Sequence, residues 1–203
     1  MWFADLYRML DGFMLAGAGI EPIKPGNRRA RLVVARSRPQ WPLLCWLLTV
    51  LHRHDIPMAL ASGGATLDDK LQFASRANMF YWPAMCRWYP DLEATGKRQA
   101  RTPLDLQLTA ESLALWLGAS LVRGDGAAPV RLAAPRLSVE AARKLIWQVR
   151  AIAKQHDADW SARLVQTTAY YAIEVGPIER VQDFVARVSG LAVSDWQAMR
   201  GCR

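Results

Sequence analysis

The chain has 203 residues, of which 52% are hydrophobic and 22% are charged, and its formal net charge is +8. This apolar fraction, together with nine tryptophans, excludes an intrinsically disordered chain and indicates a globular protein with a full core. The longest strongly apolar run, residues 41–51, is too short to span a bilayer. The three cysteines have no metal-ligand spacing, and their odd number argues against a disulfide framework. We therefore predict no membrane partner, no metal ion and no cofactor.

The first half of the chain predicts the order helix, strand pair, helix, strand pair, helix. A helix that ends in small residues at 12–19 is followed by a strand at 31–37 and a long helix at 40–54. A further extended segment at 70–76 and a helix at 78–89 complete this half.

The second half repeats this order. The stretch "RLVVARS" at 31–37 aligns with "RLAAPRL" at 131–137, about one hundred residues further on. Ser138 is the predicted N-cap of the helix that follows. The elements around the second stretch are a helix ending in small residues at 113–120, a helix at 139–156, an extended segment at 170–176 and a helix at 178–188.

This duplication predicts the domain organisation. We expect an α+β protein with a first repeat at 1–90, a polar linker at 91–107 and a second repeat at 108–203. Such a chain would be a monomer with an internal pseudo-two-fold axis.

Basic residues are concentrated in the stretch between Glu21 and Asp55, which contains no acidic residue. A concentrated positive face suits a polyanion, because neutralising phosphates releases counterions; the alternative is a solvated surface that keeps the protein soluble. Arginine outnumbers lysine and pairs with phosphate in a bidentate fashion, which favours nucleic acid. The predicted binding residues are Arg28, Arg29, Arg31, Arg36, Arg38, Arg76, Lys97, Arg98, Arg101, Arg131 and Arg136.

Strand alternation divides the first basic strand between two faces. Leu32 and Val34 share one face with Arg36, whereas Arg31 lies on the other. Basic residues on the sheets of the two halves would line one concave surface. Among the aromatic residues, Trp116 and Trp147 are predicted to lie in the core.

The chain resembles the LAGLIDADG homing endonuclease family in its single-chain, two-repeat form. The resemblance covers nearly the whole chain and lies in the order and spacing of the stretches "LDGFMLAGAG" (10–19), "NRRARLVVARS" (27–37), "FASRANMFYWPAMCRWYPDLEATGKR" (73–98), "LQLTAESLALW" (106–116) and "VRLAAPRLSVEAARKL" (130–145). It implies two αββαββα repeats packed through paired motif helices, with antiparallel sheets that form a saddle over nucleic acid.

In active members of that family, each motif helix ends in an acid that binds a divalent metal ion. Here the matching positions are Ala18 in the first motif, with Gly17 as the alternative, and Ala119 or Ser120 in the second. None is a carboxylate, which magnesium requires. An active DNA endonuclease is therefore only the third interpretation. In it, the displaced acids Glu21 and Asp125 would bind the metal ion. The small residues Gly12, Ala16, Gly17 and Gly118 would let the two helices approach closely.

The resemblance thus implies a catalytically inactive protein that binds structured organellar RNA, mitochondrial or else chloroplast. A structural role on a large RNA, for example as a mitochondrial ribosome component beside ribosomal proteins, is the first interpretation. A group I intron maturase is the second. A transcription regulator on the same scaffold is the fourth, although no added helix-turn-helix segment is found. Lys97 matches a basic residue near the metals of active members and is expected to contact phosphate.

Overall fold

A computed structural model describes residues 3–24, 27–37, 40–62, 70–123, 129–167 and 170–190. These residues form seven helices and seven strands. The first elements are α1 (Phe3–Leu15), β1 (Gly19–Pro22), β2 (Ala30–Ser37), α2 (Trp41–Arg53), β3 (Met58–Ser62), β4 (Lys70–Ser75), α3 (Tyr81–Trp88) and the short α4 (Leu92–Thr95). The later elements are α5 (Ala110–Arg123), β5 (Val130–Ala133), α6 (Val139–Gln155), β6 (Ser161–Gln166), β7 (Tyr171–Gly176) and α7 (Ile178–Ser189).

The strands form two antiparallel sheets. The first has the strand order β1-β2-β4-β3 and the second the order β5-β7-β6. The helices supply the other part of the core, so the predicted α+β class is confirmed. Within the described part of the chain, no helix is both long enough and apolar enough to cross a bilayer.

Strand β2 shows the predicted alternation. Leu32 and Val34 are fully buried, and Arg36, on the same face, is buried as well. Arg31 points to the opposite face, where it lies opposite Glu21 of β1. The face that carries Leu32 therefore packs on the core, and the other is the outer face of the first sheet.

Helix α5 lies at the centre of the molecule and packs against α1, α7 and β5. Its Trp116 is fully buried, as predicted, and donates its indole N–H to the backbone oxygen of Ala133 at 3.0 Å. A Cβ added to Gly12 of α1 would lie 2.6 Å from the Cα of Ser112. The predicted close approach of the two helices at Gly12 is confirmed.

Helix α6 begins where the sequence predicts, since the Ser138 hydroxyl accepts a hydrogen bond from the backbone N–H of Ala141 at 3.1 Å. The core prediction for Trp147, on the same helix, is wrong: this side chain is 73% exposed. At about 100° per residue, Trp147 lies roughly 200° around the helix from the buried Leu145. It therefore points away from the sheet that α6 covers.

The predicted strand at 131–137 is shorter than expected. Strand β5 ends at Ala133, and Arg136 stands in a turn with a left-handed φ of 44°. Arg136 is thus not a strand residue like Arg36, its partner in the sequence alignment, because the chain turns at Pro135 before it can pair further.

Candidate nucleic-acid interface

The positions that the sequence aligned with catalytic acids lie just after α1 and inside α5, which continues to Arg123 instead of ending at Ser120. Helix α1 ends at Leu15, and the chain turns through Gly17, whose φ of 92° favours glycine. Ala18 is half-buried, while Ala119 and Ser120 are buried within α5. No group of three or more His, Cys, Asp or Glu side chains that could hold a metal ion occurs among the described residues.

Arg36 does not lie on the binding surface that the sequence predicted. Its side chain is on the core face of β2 and its residue is only 6% exposed. The guanidinium donates hydrogen bonds to the backbone oxygens of Ala16 and Gly17, the latter at 3.1 Å. A cation at these carbonyls complements the negative end of the α1 dipole. Arg36 therefore has a structural role, and its buried guanidinium lies off the exposed surface on which the sequence predicted a contact with nucleic acid.

Arg31 and Arg98 share one carboxylate on the outer face of the first sheet. Arg31 Nη2 lies 3.2 Å from Glu21 Oε2, and Arg98 Nη1 lies 2.8 Å from Glu21 Oε1. Partial burial by itself would raise the pKa of Glu21, but the hydrogen bonds and charges of Arg98 and Arg31 outweigh it and lower the pKa. We call these three residues the Glu21 cluster; it carries a net charge of +1.

A second cluster lies on the outer face of the second sheet. Glu174 stands on the central strand β7, directly opposite Arg131 of β5 on one side and Arg163 of β6 on the other. Its carboxylate accepts a hydrogen bond from Arg163 Nε at 2.8 Å and lies 3.5 Å from Arg131 Nε. The hydrogen bond from Arg163, against the opposing effect of burial, lowers the pKa of Glu174. We call these residues the Glu174 cluster, also with a net charge of +1.

In the Glu174 cluster the carboxylate is buried and the two arginine side chains are exposed. Glu174 is 5% exposed, whereas the side chains of Arg131 and Arg163 are 61% and 70% exposed. The central carboxylate thus holds two guanidinium groups side by side, with donors left over toward solvent, since each guanidinium has five N–H groups. Such a pair can accept a phosphate with little loss of side-chain entropy.

The remaining predicted residues are scattered over the surface near the first sheet. Arg28, Arg76 and Lys97 are exposed, and their side chains form no ion pair with any residue in the described ranges. Arg29 is exposed and donates a hydrogen bond to the backbone oxygen of Ala77 at 3.0 Å. Arg38 lies outside the described residues.

Two of the predicted binding residues contact side chains of the predicted linker at 91–107. Arg101 Nη2 lies 3.3 Å from Asp91 Oδ2, and Arg136 donates a hydrogen bond to the side-chain oxygen of Gln99. Both arginines are exposed, so these contacts fix their orientation without removing them from solvent.

Sequence reasoning missed Arg163 and Glu174. The signal was present, because a single acid stands in the otherwise apolar strand "YAIEVG" and a single base in "SARLVQ". An ionised side chain in the centre of a sheet requires a partner. Which partner it meets depends on the strand register, which the sequence does not state.

A buried ion pair ties the first half to the segment before α5. Asp11 of α1 is 2% exposed; it accepts hydrogen bonds from Arg87 Nη1 at 2.8 Å and from the Trp88 indole N–H at 2.8 Å. Arg87 Nε also donates to Asp105 Oδ1 at 2.8 Å. Burial raises the pKa of Asp11, and the charge of Arg87 only partly opposes this. Because Asp11 is buried and bridges α1 to Arg87 and Trp88 of α3, its role is structural.

Comparison with known proteins adds no assignment: none of the models of protein families matches the chain, and no curated protein matches it either.

Proposed function

We propose that this protein binds nucleic acid through the outer faces of its two sheets, without cleaving it. The observation that carries this proposal is the pair of arginine clusters. Arg31 and Arg131 are aligned in the sequence, and each lies on an outer sheet face beside a carboxylate and a second arginine. The two clusters and the exposed Arg28, Arg76 and Lys97 together give these surfaces an excess of positive charge.

The proposal includes a two-repeat architecture of the LAGLIDADG type. Strands β2, β4 and β3 follow the same antiparallel order in the first sheet as β5, β7 and β6 in the second. In both series a helix follows the first strand, namely α2 and α6. The direct packing of α1 on α5 is also what paired motif helices require.

The chemistry of the positions aligned with the catalytic acids supports binding without catalysis. Magnesium-assisted phosphodiester cleavage needs carboxylate oxygens at the metal, and Ala18, Ala119 and Ser120 offer none. The displaced acid Glu21 directs one oxygen to Arg31 and the other to Arg98. These contacts neutralise the carboxylate that a metal would need. Asp125 lies outside the described residues.

Within this proposal, structured RNA is the favoured ligand and an organelle the favoured setting, mitochondrial or else plastid. Both follow from the family resemblance, in which members that become RNA binders can lose their acids. A structural place on a large RNA, such as a mitochondrial ribosomal RNA, uses the binding surface without demanding turnover. The +8 charge suits that role, because such an RNA offers many phosphates.

Ultraviolet crosslinking in cells, followed by sequencing of the attached RNA, tests this proposal. We expect crosslinks to one structured RNA, together with co-sedimentation with its particle at high salt. Crosslinks to a group I intron would instead assign the maturase role. Recovery of no RNA, or magnesium-dependent cleavage of DNA that is lost in Glu21→Ala, would overturn the proposal.

A further inference from the structure

A second basic surface lies on the helical side of the molecule. Helix α6 and the segment 104–108 enclose a groove of about 830 Å³, which we call the Trp147 groove. The Gln148 side chain fastens the segment to the helix, donating to the Leu106 oxygen at 2.9 Å and accepting from the Leu108 N–H at 2.7 Å. The walls of the groove are therefore held in place without a ligand.

The groove combines an exposed aromatic ring with cations. Trp147 is 73% exposed, although tryptophan is usually largely buried. Arg143, one helical turn before it, and Lys144 are exposed and line the same groove, as does Arg8 of α1. The acids nearby are already paired, Asp105 with Arg87 at 2.8 Å and Glu140 with Lys144 at 3.1 Å.

The apolar part of the groove is only partly covered. Leu106 and Ile152 are 3% and 7% exposed, whereas Leu104 at the edge of the groove is 48% exposed. The groove therefore offers the indole and one leucine beside three basic side chains, those of Arg8, Arg143 and Lys144, and the cations favour a ligand that carries negative charge. An aromatic ring among cations is the combination that binds single-stranded nucleic acid, since bases stack on the ring while phosphates meet the cations.

We propose that the Trp147 groove binds a single-stranded stretch of nucleic acid, with one base stacked on the Trp147 indole and the adjoining phosphates beside Arg143 and Lys144. The groove lies on the side of α6 that faces away from the second sheet, because Leu145 and Val149 face the core. It is thus separate from the Glu174 cluster, and its binding does not depend on the function proposed for the sheet faces.

Fluorescence anisotropy of the full chain with fluorescein-labelled oligoadenylate and oligouridylate tests this proposal. Stacking contributes to binding of any base and more strongly for adenine. We expect oligoadenylate to bind more tightly, and Trp147→Ala to weaken its binding roughly ten- to one-hundred-fold. Trp147→Phe should retain most of the affinity. Met79→Ala is the matched control, because Met79 is 65% exposed but lies outside the groove.

Two further measurements separate this site from the sheet faces and from a protein site. The double change Arg131→Ala and Arg163→Ala should leave oligoadenylate binding unchanged even if it abolishes binding of duplex RNA. Equal oligoadenylate affinity in the wild-type and Trp147→Ala proteins would overturn the proposal. So would binding of an acidic, leucine-rich peptide that depends on Trp147 while oligoadenylate binding does not.

Discussion

Glu174 lies directly opposite Arg163 in the register of β7 and β6, and its Oε1 accepts hydrogen bonds from both Nε and Nη2 of that guanidinium. A buried carboxylate on the outer face of a sheet would be costly by itself. Arg163 and Arg131 together remove this cost while keeping their own side chains largely exposed. One acid thus serves both the stability of the sheet and the orientation of two basic residues.

The lowered pKa of Glu174 predicts an acid-sensitive contribution to stability. A carboxylate whose pKa is lower in the folded than in the unfolded state stabilises the fold at every pH above the unfolded pKa. For Glu174 this contribution is lost as the pH falls from the unfolded pKa of 4.5 through the lower folded pKa. We expect Glu174→Gln to reduce the free energy of unfolding by about 1–3 kcal/mol near neutral pH. Urea unfolding at several pH values measures this, and the difference from wild type should shrink in acid. A difference that stays constant down to acid pH would contradict the ion-pair role.

Arg31 and Arg131 are expected to contact phosphates. Changing either to alanine should weaken RNA binding and reduce the slope of log K against log salt by about one unit each. Arg180→Ala is the control, because Arg180 is an exposed base on α7, which packs beneath the second sheet. Binding of a structured RNA at several salt concentrations gives the slopes. Unchanged slopes in both variants would mean that these strands do not face the ligand.

Replacing Arg36 should reduce stability, whereas replacing Arg31 should reduce RNA binding, although both arginines belong to β2. Because it holds the end of α1 from the core face, Arg36→Ala should lower the free energy of unfolding by about 3 kcal/mol. Arg36→Lys should recover only part of this, since an ammonium lacks the planar fork that reaches both Ala16 and Gly17. Denaturant unfolding measures the loss. A fully stable Arg36→Ala protein with a reduced salt slope would return Arg36 to the binding surface.

The contact between α1 and α5 predicts that alanine is much more destabilising at Gly12 than at Gly19. Gly12→Ala would place a Cβ 2.6 Å from the backbone Cα of Ser112, so one helix must move. We expect a loss of about 1–3 kcal/mol in stability. Gly19→Ala is the control, because its Cβ would meet only the Tyr89 hydroxyl at 3.6 Å. Thermal unfolding compares the two; equal melting temperatures would argue against direct helix packing at Gly12.

Much of the secondary structure could be predicted because it depends on the spacing of apolar residues within single helices and strands. The alternation in "RLVVARS" correctly placed Leu32, Val34 and Arg36 on one face. The hydroxyl at Ser138 marked the start of α6, and the small residue at Gly12 marked a close approach. The same alternation already argued against Arg36 as a binding residue, since it shares its face with two core side chains.

The rest depended on which elements meet. The sequence by itself determined the α+β class, the order of helices and strands in the first half, the excess of arginine and the absence of acids at Ala18 and Ala119. Only the tertiary structure decided that Glu174 lies between two arginines and that the Trp147 ring is left in solvent. Periodicity is a property of neighbouring residues along one element. Ion pairing and exposure depend on strand register and on the faces that neighbouring elements cover, which are set by contacts between residues far apart in the chain.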